Sequence, residues 1–333
     1  MQVPRRLASL PDRTLNRLLI GGVLVLVIGI PVVGVVYFMD RYVDAGPTLV
    51  QRQLATAEEA VRKTPNSVGV RLQLAAVYVA AKRPDDAMKQ YDEILKVEPG
   101  HRGALLGRGE VQVAKGDLKG AASSFEQIVN DSTTGKGGEF AGADPQLEQA
   151  YFELGSIALK EGRTPDAVAA LEAALKIDPT DADAWNLLGR AQLKAGAGVA
   201  AVGALRKAIL FVPTGWSEPY ATLAQAYQLL GKTAESEYAT AMVDFAEKRP
   251  AQAKQRLETL TSGPVAVDAM LGLGMIAEAE GDREAATRWY QKVVVVDPQN
   301  FNARVGLGRL GVEVPGGAHP SDGPASPAPQ GNS

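Results

Sequence analysis

Cysteine is absent from this 333-residue chain, and histidine occurs only twice, as His101 and His319. The lack of cysteine excludes disulfides, thiol nucleophiles, and zinc or iron–sulfur sites built on thiolates. With so few histidines, a histidine-based catalytic triad or a histidine-rich metal site is not expected either. The sequence therefore predicts no metal site and no cofactor.

An excess of basic charge is also missing. The formal net charge is -3, from 35 lysines and arginines against 38 aspartates and glutamates, and no basic cluster occurs beyond the N-terminal residues. Proteins that bind nucleic acid need a basic surface facing the phosphates, so nucleic acid is not an expected partner.

The motifs that could carry chemistry are weak. Residues 306–311, GLGRLG, match the dinucleotide-binding pattern GxGxxG. That pattern has meaning only directly after a strand, and here it follows a helical pattern. An enzyme hidden in a helical fold would need a polar pocket with perturbed carboxylates, and the composition gives no sign of one. We therefore predict that the protein is not an enzyme.

One long apolar run stands near the N-terminus. Residues 18–39 carry no charge, and 22 helical residues are long enough to cross the roughly 30 Å hydrocarbon core of a membrane. The basic residues before the run are Arg5, Arg6, Arg13 and Arg17. The positive-inside rule then predicts a cytoplasmic segment at 1–17 and an extracytoplasmic position for everything after the linker 40–47. A cleaved signal peptide is the alternative, but the run exceeds the usual length of its apolar region.

Residues 182–213 contain two amphipathic helical patterns that are separated by glycines and ended by a proline. The residues that carry the pattern are Trp185, Leu188, Gly189, Ala201, Leu205 and Pro213. Their spacing resembles the pattern W-x2-L-G-x2-Y…A-x3-F…P of the tetratricopeptide repeat (TPR) family. Gln192 replaces the tyrosine and Leu205 replaces the phenylalanine, and both substitutes can pack between helices.

The same pattern recurs over residues 48–312 with the 34-residue TPR period. Units are expected at about 68–101, 102–133, 148–181, 182–215 and 267–300, with a partial unit at 301–312. A loop insertion at 130–146 and an irregular segment at 216–266, which contains one helix too many, interrupt the series. Residues 313–333 are rich in Pro, Gly and Ser and are predicted to form a disordered tail.

The resemblance implies an all-α fold, a right-handed TPR superhelix of antiparallel helix pairs behind one N-terminal transmembrane helix. Glycine costs about 0.5–1 kcal/mol relative to alanine inside a helix, so its recurrence at one phase of the repeat needs a reason. We predict that these positions bring packed helices close together. The residues assigned to this packing are Gly109, Gly155, Trp185, Gly189 and Gly274.

A second stripe lies beside the packing stripe on each first helix, and in TPR solenoids these helices line the concave side. Its apolar members are Leu72, Ala76, Val79, Leu106, Val113, Phe152, Leu159 and Leu193. One interpretation is core between repeats, since a stripe at helical spacing is usually core. The other is a groove for an apolar helix or extended segment of a partner.

The resemblance also implies a function, namely binding of other proteins. We expect a membrane-anchored scaffold or adaptor of a bacterial envelope, which holds a partner protein or peptide in an extracytoplasmic groove. The partner is expected among other membrane or envelope proteins, and self-association is compatible with this function. The alternative is an assembly or chaperone-like factor similar to the TPR subunits of c-type cytochrome biogenesis, which would hold an apoprotein with an exposed CxxCH motif.

Overall fold

The computed structural model describes residues 29–33, 48–132, 144–211 and 215–313. Regular structure in these ranges is entirely helical, as the sequence predicts. Of the predicted membrane run 18–39 only residues 29–33 are described, and they are helical. The predicted segments 1–17 and 40–47 and the tail from 314 onward lie outside the described residues. Among the helices that are described, none is both long and apolar enough to cross a membrane.

The chain divides into two compact units, residues 1–90 and 91–333, and the boundary falls inside a helix. The first unit contains helices α1 (Leu49–Lys63) and α2 (Val68–Ala80) and the start of α3 (Pro84–Val97). Thr48 begins α1 with a capping box, because its hydroxyl accepts from the Gln51 N–H while the Gln51 side chain accepts from the Thr48 N–H. Helices α1 and α2 pack together, and the Tyr78 hydroxyl donates to Glu58 across them at 2.9 Å.

The second unit contains the end of α3 and the helices that follow it. Within the described ranges these are α4 (Arg102–Ala114), α5 (Leu118–Asp131), α6 (Pro145–Lys160), α7 (Thr164–Ile177), α8 (Ala182–Lys194), α9 (Gly198–Phe211), α10 (Ser217–Leu229), α11 (Thr233–Ala246), α12 (Pro250–Thr259), α13 (Ala266–Ala279), α14 (Arg283–Val296) and α15 (Phe301–Arg309). Successive helices pack in pairs, α4 with α5, α6 with α7, α8 with α9, α10 with α11 and α13 with α14, and each pair also packs on the next. The core is accordingly a series of clusters between neighbouring pairs, as in a solenoid.

The turn inside the pair α8–α9 shows how the sequence ends one helix and starts the next. Gly196 adopts a φ of 75°, a left-handed conformation that favours glycine. Its N–H donates to the Leu193 carbonyl, and the Ala197 N–H donates to the Gln192 carbonyl, both at 2.9 Å. These bonds satisfy carbonyl groups that the end of α8 would otherwise leave unpaired.

The structure shortens the predicted loop insertion at 130–146. Helix α5 continues to Asp131, and α6 begins at Pro145, so both ends of the predicted loop are helical. Asp144 caps α6 by accepting from the Leu147 N–H at 3.1 Å, and proline at the first helical position suits a helix start. Sequence periodicity alone missed this start because the cap comes before the first apolar residue. Residues 133–143 lie outside the described part of the chain.

Three helices, α10, α11 and α12, occupy the predicted irregular segment 216–266, and α12 packs between α11 and α13. A compact ion-pair group fixes the turn between α11 and α12. Asp244 is only 8% exposed and accepts from Arg249 at 2.6 Å and from Arg256 at 3.1 Å. A buried carboxylate needs such partners, so this turn is held by charge pairing as well as by apolar packing.

Candidate binding surface

The four predicted packing glycines each face a large side chain on the second helix of their own pair. The sequence spacing from the glycine to its partner is the same in every case. Measured from an ideal Cβ, the nearest side-chain atoms lie at 2.5 Å for Gly109 with Phe125, 2.6 Å for Gly155 with Leu171, 2.5 Å for Gly189 with Leu205 and 2.5 Å for Gly274 with Tyr290. Carbon atoms in contact lie about 3.5–4.0 Å apart, so even a methyl group at these positions requires the neighbour to move.

Two further glycines fit the tyrosines of the preceding second helix, and the sequence analysis did not assign them this role. A Cβ on Gly107 would overlap the Tyr91 ring, and one on Gly306 would lie 2.5 Å from the Tyr290 ring. Tyr290 is therefore enclosed by glycines on both sides, since Gly274 faces its other edge. Gly306 belongs to the GxGxxG lookalike, and its contact with Tyr290 gives that motif a packing role.

In the first unit, the predicted partner-facing side chains lie on α2. Leu72 is half-buried, Ala76 is exposed, and Val79 is 47% exposed. An exposed valine next to a half-buried leucine leaves an apolar strip open on this helix. Its use by a partner stays a prediction.

In the second unit, the predicted stripe divides into two groups. Leu106 and Leu159 are only 7% and 4% exposed and belong to core clusters. The core interpretation therefore applies to these two leucines, and they leave the candidate surface. Val113, Phe152 and Leu193 are half-buried and lie at the edges of the clusters, so each keeps one side open.

Polar residues on the same faces join successive first helices. Gln149 of α6 donates to Glu110 of α4 at 2.6 Å, and Arg190 of α8 donates to Glu218 of α10 at 2.7 Å. These bonds bridge neighbouring pairs where the apolar side chains end. The candidate surface of the second unit thus alternates half-buried apolar side chains with polar bridges.

A pocket of about 450 Å³ opens between α7, α8 and α9. Its apolar lining includes Leu175, Trp185, Leu188 and Ala204. The Trp185 indole N–H donates to the Pro179 carbonyl at 2.8 Å, and the Lys207 ammonium lies 4.0 Å from the indole centroid. Trp185, predicted as a packing residue, therefore packs against the core and also forms a wall of this pocket.

The rim and floor of the pocket also contain polar groups. Glu172, Lys176 and Lys207 line it, and the amide of Gln192 lies among the apolar residues. A concave site with an apolar lining and a few polar groups is the usual form of a binding site for a small molecule or a side chain.

Sequence comparison identifies the repeat. The model of the tetratricopeptide repeat family matches residues 72–135, 152–219 and 238–310, which together make up more than half of the chain. The chain belongs to the tetratricopeptide repeat family. The prediction made from the Trp-Leu-Gly spacing is thereby confirmed. TPR proteins are in general non-catalytic scaffolds that bind other proteins on extended surfaces.

Individual relatives resemble only parts of this TPR chain or match it distantly. An FK506-binding protein-like protein of Mus musculus is 31% identical over 103 residues, which is 31% of this chain and 26% of that protein. The chain thus spans about a quarter of the length of the curated relatives it matches. The crystal structure of MamA is 22% identical with a TM-score of 0.48, covering 56% of this chain and 94% of that one. YrrB, a TPR protein with an unusual peptide-binding site, is 16% identical with a TM-score of 0.49, covering 62% and 99%.

The TPR matches also locate the odd helix of the irregular segment. The second match ends at residue 219, at the start of α10, and the third begins at residue 238, inside α11. The third match thus joins α11 to α12 as one repeat and α13 to α14 as the next. Helix α11 also packs on α10 and touches α13, as successive first helices do elsewhere in this unit. It therefore serves as second helix to α10 and first helix to α12, which accounts for the half repeat.

Unsatisfied polar atoms collect around α8. In the described ranges, the buried side-chain atoms without a hydrogen-bond partner are Oε1 of Glu148, Oδ1 of Asn186 and Oε1 of Gln192. Asn186 and Gln192 belong to α8, and Gln192 occupies the tyrosine position of the TPR pattern. Glu148 lies close to Asp181, which caps α8. Buried polar groups are normally paired, so this helix departs from ordinary packing.

Several carboxylates have perturbed acidities, which the sequence analysis did not anticipate. Burial raises the pKa of the Glu148 carboxyl to about 7, and the nearby Asp181 carboxylate acts in the same direction. Burial also raises the pKa of Asp268, which Arg206 opposes. Tertiary packing sets this burial, so composition and spacing could not reveal it. No group of three or more His, Asp or Glu side chains suited to a metal ion occurs within the described residues.

Proposed function

We propose that this TPR protein is a membrane-anchored, non-catalytic scaffold that binds a partner protein or peptide on the faces of its first helices. The observation that carries the proposal is the set of half-buried apolar side chains on successive first helices, Val113 on α4, Phe152 on α6 and Leu193 on α8. Side chains that are only partly covered can gain further burial when a partner helix or extended segment packs on them.

The anchor is supported by the sequence of residues 18–39, which is uncharged and preceded by four arginines. In this arrangement the repeats lie on the extracytoplasmic side and meet other envelope proteins there. Extraction of native membranes at alkaline pH should leave the protein in the pellet, and protease added to intact spheroplasts should degrade the repeats. Release by alkali, or protection from protease, would contradict the anchor or its orientation respectively.

Partner binding is tested by crosslinking in native membranes. The double substitution Phe152→Glu with Leu193→Glu should abolish recovery of a crosslinked partner, because two charges would enter an apolar contact. Val199→Glu is the matched control, since Val199 is 75% exposed on the second helix α9. Leu72→Glu with Val79→Glu applies the same test to the first unit. Circular dichroism must show unchanged helicity in every variant.

The outcome of the crosslinking also separates two versions of the function. A folded membrane or envelope partner supports a scaffold, whereas an unfolded partner with an exposed CxxCH motif would identify an assembly factor for c-type cytochromes. Equal recovery by the folded Phe152→Glu/Leu193→Glu variant and by the Val199→Glu control would rule out binding on the second-unit faces.

A further inference from the structure

A groove of the last full repeat lies between the second helices α12 and α14 and the first helix α13. Its occupant shows which kind of side chain fits in such a groove. Trp289 of α14 follows Gly274 by the same number of residues as Ala204 of α9 follows Gly189, so the two residues occupy equivalent positions. The indole of Trp289 is half-buried and packs against the cluster formed by α10, α11, α12 and α13, which includes Leu273. The ammonium of Lys292 lies 4.0 Å from its ring centroid. This groove is filled by a side chain of the protein itself.

The equivalent groove between α7, α8 and α9 is open. Its α9 lining consists of Ala200, Gly203, Ala204 and Lys207, and a Cβ added to Gly203 would meet no atom within 4 Å. The pocket volume of about 450 Å³ lies within the range of about 300–1,000 Å³ found for ligand sites. Small residues on α9 therefore leave free the space that an indole fills in the last repeat.

The surroundings that hold the Trp289 indole recur in the open groove. Leu188 stands at the register position of Leu273, and Lys207 stands at that of Lys292. Trp185 adds an aromatic wall whose N–H is already bonded to the backbone, and the Lys207 ammonium covers one face of its ring at 4.0 Å, so an incoming ring has to pack against the part that Lys207 leaves uncovered. Aromatic rings pack well against such a ring in offset or edge-to-face geometry.

The charges at the rim indicate what flanks the aromatic group. Lys176 and Lys207 form no ion pair with any residue in the described part of the chain, and Glu172 is the single carboxylate of the lining. The rim thus has one net positive charge. The Oε1 of Gln192, a residue of the lining, is buried and has no partner among the described residues.

We propose that the pocket between α7, α8 and α9 receives a tryptophan or phenylalanine side chain from an extended partner segment, with acidic residues beside it. The inference rests on the proposed scaffold function and specifies the chemistry of the segment that is bound. The incoming ring takes the place that Trp289 occupies in the last repeat, and the flanking carboxylates meet Lys176 and Lys207. This site lies between the second helices α7 and α9 and the first helix α8, and its lining includes none of the stripe residues Val113, Phe152 and Leu193.

Calorimetric titration of the full chain in detergent tests the site directly. The probe is the blocked peptide acetyl-Gly-Glu-Trp-Glu-Gly-amide, and its control has alanine in place of tryptophan. We expect binding of the tryptophan peptide with one site per chain, and at least tenfold weaker binding of the alanine peptide. Equal affinities, or no heat with either peptide, would overturn the proposal.

Two substitutions at one position separate pocket filling from loss of fold. Gly203 lines the pocket one residue before the register of Trp289, so Gly203→Trp should place a ring in the open groove and weaken the tryptophan peptide at least tenfold. Gly203→Ala adds only a methyl group in open space and should bind as the native chain does. Lys176→Glu should weaken binding several-fold, and more strongly at low salt. Undiminished peptide binding by a folded Gly203→Trp variant would overturn the location.

The crosslinking experiment distinguishes failure of this inference from failure of the scaffold function. If Gly203→Trp leaves both peptide binding and partner recovery intact while Phe152→Glu/Leu193→Glu abolishes recovery, the pocket is refuted and the scaffold function stands. If Gly203→Trp reduces both peptide binding and partner recovery, the pocket is supported as a part of the partner interface.

Discussion

The groove between α7, α8 and α9 and the groove between α12, α13 and α14 share one framework and differ in what fills it. Gly189 and Gly274 each bring their helix close to the second helix of the pair, since a Cβ added to either glycine would lie 2.5 Å from Leu205 or from Tyr290. The difference lies on the second helix, where α9 has Ala204 and α14 has Trp289. The first groove is open, whereas in the second the half-buried indole packs against the cluster formed by α10, α11, α12 and α13.

This difference indicates that two sets of residues act separately within one repeat. The glycine and its large partner on the second helix fix the distance between the paired helices, and they recur with little change in shape. Residues on the neighbouring face of the second helix decide only whether the outer groove is filled. A repeat can therefore change its surface without changing its packing, which suits a solenoid whose units contact only their neighbours.

The largest effect is expected where the shared framework is broken. Gly189→Leu should lower the free energy of unfolding by about 3 kcal/mol or more, because even its Cβ would lie 2.5 Å from Leu205. Gly308 of α15 is the matched control. It occupies the position of Gly274 in the next first helix, but a Cβ added to it would meet no atom within 4 Å. Gly308→Leu should not destabilise the chain and should gain up to about 1 kcal/mol, because leucine is favoured over glycine in a helix. Equal losses in urea unfolding of the two variants would show that helix approach is not the reason for the glycine.

A smaller effect is expected where only the closed groove is opened. Trp289→Ala should lower the free energy of unfolding by about 2 kcal/mol, roughly half the cost of removing a fully buried tryptophan, because Trp289 is half-buried. Trp289→Phe keeps a ring in the groove and should cost less than half as much. Thermal melts of both variants measure the difference. If the alanine variant is no less stable than the phenylalanine variant, the indole does not fill this groove in solution.

The fold was predictable from the sequence because each repeat contains the residues whose spacing defines it. Trp185, Leu188 and Gly189 define a helical face, and the recurrence of this spacing at the TPR period defines the solenoid. The boundaries near the insertion were less accessible, since the start of α6 depends on the cap by Asp144. The half repeat was visible as an excess of length, but pairing of α11 with both α10 and α12 follows from packing.

The pocket was not predicted, although the small residues of α9 that leave it open can be read from the sequence. Gln192 was recognised as a replacement for tyrosine, and the small residues of α9 could have been compared with Trp289 at the same register. The small residues of α9 and the large ones of α14 both fit a helical period, so periodicity cannot distinguish a filled groove from an open one. The burial of Leu106 and Leu159 was equally hidden, because a stripe at helical spacing has the same pattern in a core and on a surface.

A pH-dependent effect is expected at Glu148 of α6, in the repeat that precedes the open groove. Glu148 has a folded-state pKa of about 7, raised by burial from its usual 4.5, so the folded state binds this proton more tightly than the unfolded state. Its stabilising contribution is complete below pH 4.5 and is lost as the pH rises to 7. Glu148→Gln cannot ionise and should raise the Tm by about 2 °C or more at pH 8, with little change at pH 4.5. Glu172→Gln, an exposed carboxylate on α7, controls for net charge and should show no such difference.

The smallest effect concerns Gly203, one of the small residues with which α9 lines the first groove. Gly203 is exposed in the interior of α9 and has free space around its missing Cβ, so Gly203→Ala should stabilise the chain by about 0.5–1 kcal/mol. At the same register in the closed groove, α14 carries Arg288, and Arg288→Gly should destabilise by a similar amount. Urea unfolding of both variants tests this symmetry. Destabilisation by Gly203→Ala would mean that α9 needs glycine for its own backbone, and the open groove would then be a by-product of helix geometry and not a feature of binding.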